Sequence, residues 1–398
     1  MSRTRIDKIN SLGRLLINLL CIALYFVFAE LVFRFTLLNG IHSDLDYYLS
    51  LTFSDEERDY ARRFIEDLNS FGERAVIVPG TILYRYKPAK TSTFTINSFG
   101  FRGEEFTKKR DDEYRIVFFG NSKLLGYLVP EENTIPFLVQ EKLREHFKDK
   151  KKKITVFNFG MEAIDLQRSV EMAKLYHQEL EADFVAFYSA VADMDEAYLW
   201  GTAGLKPFVE GDTVPEIFRT RHDGGSFKSN LLHILYSSFV NDFYKFETTS
   251  AQHDLMNYPI PPLQIQFLKD FPPTYAERVA KTNSYFQERN IPSLFILPPI
   301  VQSKNPVSAL ETNHMFQREF YAPGVNNFTK KCYDATIREV MRLPGVNVAD
   351  HSGIFDGTEE TVFFDGLHLT PGAIRISAEK IAGEMIKTLE SGHFLDKE

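Results

Sequence analysis

The fold is decided by "YRIVFFGNSKLLGYLV", residues 114 to 129, in which a mostly apolar run stops at Gly120-Asn121-Ser122. A short apolar run bounded by a polar turn is typical of a strand buried on both faces of a sheet. Ser122 directly follows that strand, so it is either a nucleophile or the polar residue that opens a helix. A serine becomes nucleophilic only beside a base that a third group orients. The rest of the chain therefore has to supply these two partners.

The pattern that begins at residue 114 repeats towards the carboxyl terminus, where apolar runs alternate with amphipathic stretches. Parallel strands that are covered by helices on both faces have this pattern. The sequence therefore predicts an α/β fold: a three-layer α/β/α sandwich with a mainly parallel sheet. The strand-like runs are 114–119, 154–159, 183–190, 293–299 and 346–350, and the helical ones are 132–147, 165–180, 277–290, 330–343 and 371–390.

Residues 15–38, "LLINLLCIALYFVFAELVFRFTLL", are long and apolar enough to cross a bilayer. Four basic side chains precede them in residues 1–14, and the positive-inside rule keeps such a flank in the cytoplasm. No small-residue cleavage pattern follows, which indicates an uncleaved signal anchor. The sequence thus predicts one amino-terminal transmembrane helix, in a single-pass protein of the cytoplasmic membrane whose carboxyl-terminal domain is extracytoplasmic. A buried helix of a soluble domain is the alternative.

Two segments lie outside the alternating pattern. Residues 39–112 mix a helical stretch at 54–72 with short extended pieces, and they are interpreted as a stem and lead-in to a domain covering 113–398. Arg102, in a glycine-flanked turn of this lead-in, is interpreted as a structural tie rather than an anion clamp. Residues 195–272 have no sustained periodicity, which favours an insertion or a functional lid.

Composition argues against several kinds of partner. The net charge of -8 and the pI near 5.8 are unfavourable for binding nucleic acid, which proteins grip with clustered Lys and Arg. Only two cysteines occur, so the fold does not depend on disulfides. The histidines show no metal-ligand spacing such as H-E-x-x-H. We therefore expect no metal, no cofactor and no nucleic-acid partner.

Polar residues follow the strands at the edge where an open α/β sheet binds its ligands. Near the last helix, Asp365 and His368 lie three residues apart on one loop. At that spacing the carboxylate can accept the Nδ1 proton of the imidazole, while Nε2 points at a third group such as Ser122. The sequence therefore predicts a catalytic triad with Ser122 as nucleophile, His368 as general base and Asp365 as its orienting group. Alternatively, His368 is a loop residue before a helix that starts at Thr370-Pro371.

These blocks resemble the SGNH (GDSL-type) hydrolases over residues 112 to 390, most specifically in "DGLHLTPGA". The lead-in "INSFGFRGEEF", residues 96 to 106, is similar to the segment before the first block in membrane-anchored members of that group. The resemblance implies an SGNH/flavodoxin-like fold and acyl chemistry at Ser122. It also implies that the oxyanion is bound by the backbone N–H groups of Ser122 and Ala163, with Gly160 as the alternative to Ala163.

The chain departs from the family pattern at three positions. Asn121 replaces an aspartate, Ala163 replaces the oxyanion glycine, and Ala192 replaces an asparagine whose side chain donates to the oxyanion. Losing one such donor typically costs about 3 kcal/mol of transition-state stabilisation. Asn121, Lys123 and Asp193 are further candidates for lining the site.

The sequence leads to one preferred functional hypothesis and two alternatives. The preferred one is a membrane-anchored, extracytoplasmic serine esterase or O-acyltransferase acting on acyl or acetyl groups of an envelope or exported glycan. Its expected partners are the acylated glycan or another ester substrate, the membrane through residues 15–38, and a membrane acyltransferase. The first alternative is a catalytically weak or inactive SGNH-like protein that binds a glycan or a membrane partner, and the second is a lipid-directed esterase.

Overall fold

The computed structural model describes residues 48–70, 75–78, 81, 83–162, 164–190, 193–194, 256–257, 259–321, 324–392 and 394–395. The anchor predicted at 15–38, the positions Ala163 and Ala192, and most of the predicted insertion lie outside these residues. Within the described part, none of the helices combines the length and the apolar character needed to span a bilayer. Contacts divide the chain into two units: residues 1–51 with 224–246, of which only 48–51 are described, and residues 52–223 with 247–398, which hold every element named below.

The central sheet has five parallel strands: β5 (Glu113–Gly120), β6 (Lys153–Gly160), β7 (Phe184–Tyr188), β8 (Ser293–Leu297) and β9 (Val348–Asp350). Their order across the sheet is β6-β5-β7-β8-β9. This order is that of a doubly wound, flavodoxin-like sheet. The α/β fold with a mainly parallel sheet, predicted from the alternating pattern, is confirmed.

Helices cover both faces of the sheet, and the two faces of β5 show why its sequence is apolar throughout. All eight residues of β5 are buried. Ile116 and Phe118 face a core shared with four of the helices, whereas Phe119 packs its ring 5.8 Å from that of Phe187 on the opposite face. The helices are α1 (Asp55–Ser70), α2 (Ser122–Leu125), α3 (Ile135–His146), α4 (Leu166–Tyr176), α5 (Pro262–Gln287), α6 (Ala309–Tyr321), α7 (Val325–Val340) and α8 (Pro371–Ser391).

Two helices differ from the sequence-based expectation. α5 was expected at 277–290, but it begins at Pro262, inside the segment interpreted as an insertion. Pro272 and Pro273 lie within this helix. Because proline lacks a backbone N–H, a pair of prolines in a sequence predicts a helix boundary. The helix nevertheless continues, since it buries Phe271 and Tyr275. α6 was not predicted at all.

From Thr52 onwards, the lead-in belongs to the same compact unit as the sheet. α1 starts with a capping box in which Ser54 Oγ accepts the Glu57 N–H and the Glu57 carboxylate accepts the Ser54 N–H. Two antiparallel hairpins follow, and Phe101 after them packs its ring 3.8 Å from that of Phe159 in β6. The hairpin strands are β1 (Ala75–Ile77), β2 (Tyr84–Tyr86), β3 (Ala89–Lys90) and β4 (Thr95–Ile96).

Candidate active site

Ser122 is the first residue of α2 and follows the carboxyl end of β5. In the sheet, β6 lies on one side of β5, and β7 and the later strands lie on the other, so the strand order reverses beside β5. Open α/β sheets bind their ligands at the carboxyl ends of the strands at such a reversal. Asn121 caps the helix, with Oδ1 accepting the Lys123 N–H at 3.1 Å. Gly120 allows the turn, because a Cβ there would lie 2.4 Å from the Tyr188 carbonyl oxygen. The turn therefore directs Ser122 out of the end of the sheet.

The structure brings the three predicted triad residues together. Ser122 Oγ lies 2.8 Å from His368 Nε2, and His368 Nδ1 lies 2.6 Å from Asp365 Oδ2. The other carboxylate oxygen, Asp365 Oδ1, accepts the backbone N–H groups of Leu367 at 3.0 Å and His368 at 2.6 Å. Because an ionised carboxylate only accepts, Nδ1 carries the proton, and Nε2 is left to accept the serine hydroxyl proton.

Asp365 stays ionised in this arrangement. Burial disfavours its charge, but the positive charge of a protonated His368 and the hydrogen bonds from His368 and Leu367 outweigh burial and lower its pKa to about 2. A carboxyl whose pKa is depressed by folding stabilises the fold above its ordinary pKa of 3.8, and that contribution is lost as the pH falls through the folded value. Asp365 therefore remains an anion throughout the neutral range.

Two aromatic rings lie nearly parallel to the imidazole of His368. The Tyr127 ring centroid is 4.8 Å away at an interplanar angle of 30°, and that of Phe364 is 5.9 Å away at 21°. These rings fix the plane in which the imidazole can face both Ser122 and Asp365. No sequence motif singles out these two rings, although each is close in sequence to a triad residue.

The loop that carries Asp365 and His368 is held by α6. Glu311 Oε1 accepts the backbone N–H groups of Val362 at 2.8 Å and Phe363 at 3.1 Å. One turn later, His314 Nε2 lies 2.9 Å from the Phe364 carbonyl oxygen. Neither side chain is among the residues predicted for the site, but Ser308-x-x-Glu311 is a capping box that marks the start of α6. This capping-box pattern in the sequence indicates the start of the helix and includes the buried glutamate.

Glu311 is paired with Lys304 at 2.7 Å, and the side chains are 0% and 1% exposed. We expect Lys304→Met to lower the free energy of unfolding by about 3–5 kcal/mol, because it leaves a buried carboxylate without its counter-charge. The double variant Lys304→Met/Glu311→Gln should recover part of that loss, because it removes the uncompensated charge; recovery stays incomplete, because the amide nitrogen then faces the Ser308 N–H, which Glu311 Oε2 accepts in the parent. Chemical denaturation measures both.

The matched control is the partly exposed pair Lys330–Asp334, where Lys330→Met should cost no more than about 1 kcal/mol. Equal losses for Lys304→Met and Lys330→Met, or a double variant less stable than Lys304→Met, would contradict the assignment.

The oxyanion donors are described only in part. Among the described residues, the backbone N–H of Ser122 has no hydrogen-bond acceptor. The Gly160 N–H is donated to Asn158 Oδ1 at 2.9 Å, so this alternative donor is already engaged. Ala163 and Ala192 lie outside the described residues. Ala190, at the start of the third block, has φ 128°, a backbone conformation that is strained for a residue with a Cβ and that clusters at functional sites.

The three residues considered as lining the site have structural partners. Asn121 is the helix cap already described. Lys123 Nζ donates to the Pro299 carbonyl at 2.9 Å and lies 5.5 Å from the centroid of the Phe363 ring. The Asp193 carboxylate accepts the Leu166 N–H at the start of α4, at 3.0 and 3.2 Å. In the part of the chain that the structure describes, no three His, Cys, Asp or Glu residues form a metal-binding group.

Comparison with known proteins gives only distant structural likenesses. No family model and no curated protein matches the sequence. An α/β hydrolase enzyme from the metagenome of Lake Arreo is 10% identical over 68% of this chain and 94% of its own, with a TM-score of 0.39. A lipase/acylhydrolase from Enterococcus faecalis is 15% identical over 70% and 96%, with a TM-score of 0.36. A GDSL-like lipase from Bacteroides thetaiotaomicron is 10% identical over 71% and 93%, with a TM-score of 0.34. At this level of similarity, function has to be inferred from the site itself.

Proposed function

We propose that the protein is a serine ester hydrolase of the SGNH type, with Ser122, His368 and Asp365 as its catalytic residues. One observation carries the proposal: the continuous hydrogen-bonded chain from Ser122 Oγ through the His368 ring to Asp365. A serine that only begins a helix does not require a histidine at its hydroxyl. A histidine that is only part of a loop does not require a carboxylate at one ring nitrogen and a serine hydroxyl at the other. These hydrogen bonds join residues 246 positions apart in sequence, and a triad is recognised by such geometry rather than by sequence position.

The proposed reaction assigns each proton transfer to one of these groups. Ser122 Oγ attacks the acyl carbonyl carbon while its proton moves to His368 Nε2, and Asp365 stabilises the resulting imidazolium. The Ser122 N–H, together with the N–H proposed at Ala163, binds the oxyanion. When the tetrahedral intermediate collapses, the leaving alcohol takes the proton from Nε2 and an acyl-serine remains. His368 then removes a proton from an acceptor hydroxyl, which attacks the acyl-serine and regenerates Ser122.

The acceptor and the location of the domain form the finer part of the proposal. Water as acceptor gives an esterase, and a sugar hydroxyl gives an O-acyltransferase. Residues 15–38 and the basic flank before them support an anchor in the cytoplasmic membrane with the site outside. In that location an envelope or exported glycan carrying acetyl or other acyl groups is the proposed substrate, and a membrane acyltransferase is the proposed acyl source for the transfer reaction.

Covalent labelling tests the proposal. We expect the purified full-length protein to react with a serine-directed fluorophosphonate, adding one phosphonyl group on Ser122 that peptide mass spectrometry locates. Excess p-nitrophenyl acetate should slow the labelling, because both reagents need the same hydroxyl. Heat-denatured protein is the control, since the free hydroxyl of an unfolded chain lacks the base that activates it.

Absence of labelling, together with no turnover of p-nitrophenyl acetate, would refute the esterase. It would support the inactive glycan- or membrane-binding alternative, which the alanine at position 192 favours because that side chain donates no hydrogen bond. If labelling occurs, release of acid compared with acyl transfer to an added sugar alcohol distinguishes hydrolase from transferase.

A further inference from the structure

Arg102 lies in the lead-in but reaches the loop that follows Ser122. Its side chain is 3% exposed, and its guanidinium donates to three backbone carbonyl oxygens. Nη1 lies 2.6 Å from the Gly126 oxygen and 3.2 Å from that of Leu125, and Nη2 lies 2.7 Å from the Val129 oxygen. Because the guanidinium is a rigid planar fork, these bonds fix the carbonyls relative to one another.

The loop that Arg102 binds, residues 125–129, has an unfavourable backbone conformation. Gly126 ends α2 with φ 81°, and Leu128 has φ 64°, a left-handed value that costs free energy for a residue with a bulky side chain. Such a conformation persists only where surrounding contacts impose it. The carbonyls that Arg102 binds belong to residues on either side of Leu128. Arg102 is therefore a contact that holds this loop in its strained form.

The strained loop touches the catalytic base. Tyr127 lies between the two left-handed residues, and its ring is the one stacked 4.8 Å from the imidazole of His368. The opposite end of the loop is α2, whose first residue is Ser122. A shift of the loop would therefore displace both partners of the hydrogen bond between Ser122 Oγ and His368 Nε2.

Arg102 is itself held within the lead-in. Nη2 lies 3.2 Å from the Tyr60 hydroxyl, and the guanidinium lies 5.5 Å from the centroid of the Phe64 ring, both on α1. The same lead-in contacts the second block, where the Tyr84 hydroxyl donates to the Glu162 carbonyl at 2.6 Å, one residue before Ala163. The lead-in is thus attached to two of the loops at the end of the sheet.

From these contacts we infer that Arg102 is a positioning residue that sets the geometry of the Ser122–His368 pair through the carbonyls of residues 125, 126 and 129. The catalytic meaning of this inference rests on the proposed function. It assigns to "INSFGFRGEEF" a role in assembling the active site, beyond connecting an anchor to the domain.

The test compares Arg102→Lys with a matched control, Arg115→Lys. Lysine keeps the positive charge but lacks the planar guanidinium that binds several carbonyl oxygens at once. Arg115 is 2% exposed and also donates to carbonyl oxygens, those of Leu180 at 3.1 Å and Thr107 at 2.7 Å, but it lies near the amino end of β5, away from Ser122. Both variants of the full-length protein should lose stability to a similar degree. The readouts are the ¹⁵N and ¹H NMR signals of the His368 ring, identified by their loss in His368→Gln, and the kcat and KM for p-nitrophenyl acetate per folded molecule.

We expect Arg102→Lys to shift the His368 ring signals and to lower kcat by about 10- to 100-fold with little change in KM, the effect of a small misplacement of reacting groups. Arg115→Lys should leave the His368 signals and kcat as in the parent. Unchanged His368 signals in folded Arg102→Lys would overturn the inference. If Arg102→Lys does not fold, Tyr60→Phe replaces it in the test, because this substitution removes one hydrogen bond to the guanidinium. We then expect a smaller shift of the His368 signals, and the absence of any shift would overturn the inference. If the parent protein shows no turnover, the proposed function fails, while the NMR signals still decide the positioning role.

Discussion

Ser122→Ala is expected to lower kcat for p-nitrophenyl acetate by about 10⁴- to 10⁶-fold. Without the hydroxyl no acyl-serine forms, and what remains is acceleration by the oxyanion donors and binding alone. The substitution should change the free energy of unfolding by less than about 1 kcal/mol, because the Ser122 side chain is partly exposed and its bond to His368 is a single one. A stopped assay for kcat and chemical denaturation for stability together measure this contrast.

The control for Ser122→Ala is Ser377→Ala, which removes a buried hydroxyl that has no hydrogen-bond partner among the described residues and lies in α8. Ser377→Ala should keep full activity. The combined variant Ser122→Ala/His368→Gln should be no slower than Ser122→Ala, because residues that act as one unit lose their effect together. A further loss in the combined variant would show that His368 acts independently of Ser122, contrary to the triad.

The sheet and the triad were predictable from the sequence for physical reasons that apply locally. A parallel strand with helices on both faces must be apolar throughout, so β5 and its neighbours stand out as uninterrupted runs. The ends of those runs meet at one edge of the sheet, which places Ser122 near the segment of Asp365 and His368. The three-residue spacing of Asp365 and His368 on one loop then determined how the pair is hydrogen-bonded.

The contacts that hold the site in place were not predictable in the same way. Arg102 was correctly interpreted as a structural tie, but the carbonyls it binds follow Ser122 in the chain, and no local pattern links a side chain to distant backbone oxygens. Glu311 is fully buried, and a buried glutamate cannot be distinguished by sequence pattern from an exposed helical one. α5 was shortened in the prediction because Pro272 and Pro273 resemble a helix boundary, whereas the burial of Phe271 and Tyr275 decides that the helix continues.

Asp365→Asn is the second substitution with a large expected effect: a fall in kcat of about 10⁴-fold, with the fold intact. The reason lies in how the two carboxylate oxygens are used. Oδ1 accepts two backbone N–H groups, of Leu367 and His368, so the single oxygen of an asparagine amide is drawn to that position. The amide nitrogen then faces His368 Nδ1, where it can only donate.

That donation selects the other tautomer of His368. With Nδ1 accepting, the ring proton moves to Nε2, which then donates to Ser122 Oγ and can no longer take its proton. Because the pKa of Asp365 is about 2, the parent enzyme keeps its carboxylate ionised from about pH 5 to pH 8, so protonation of Asp365 does not reproduce the loss in the parent within this range. The control is Asp350→Asn at the end of β9, where the carboxylate accepts only the Ser352 N–H in the described hydrogen bonds and kcat should not change. Retained activity in Asp365→Asn would mean that His368 finds its tautomer without Asp365, and the assignment of Asp365 as orienting group would be wrong.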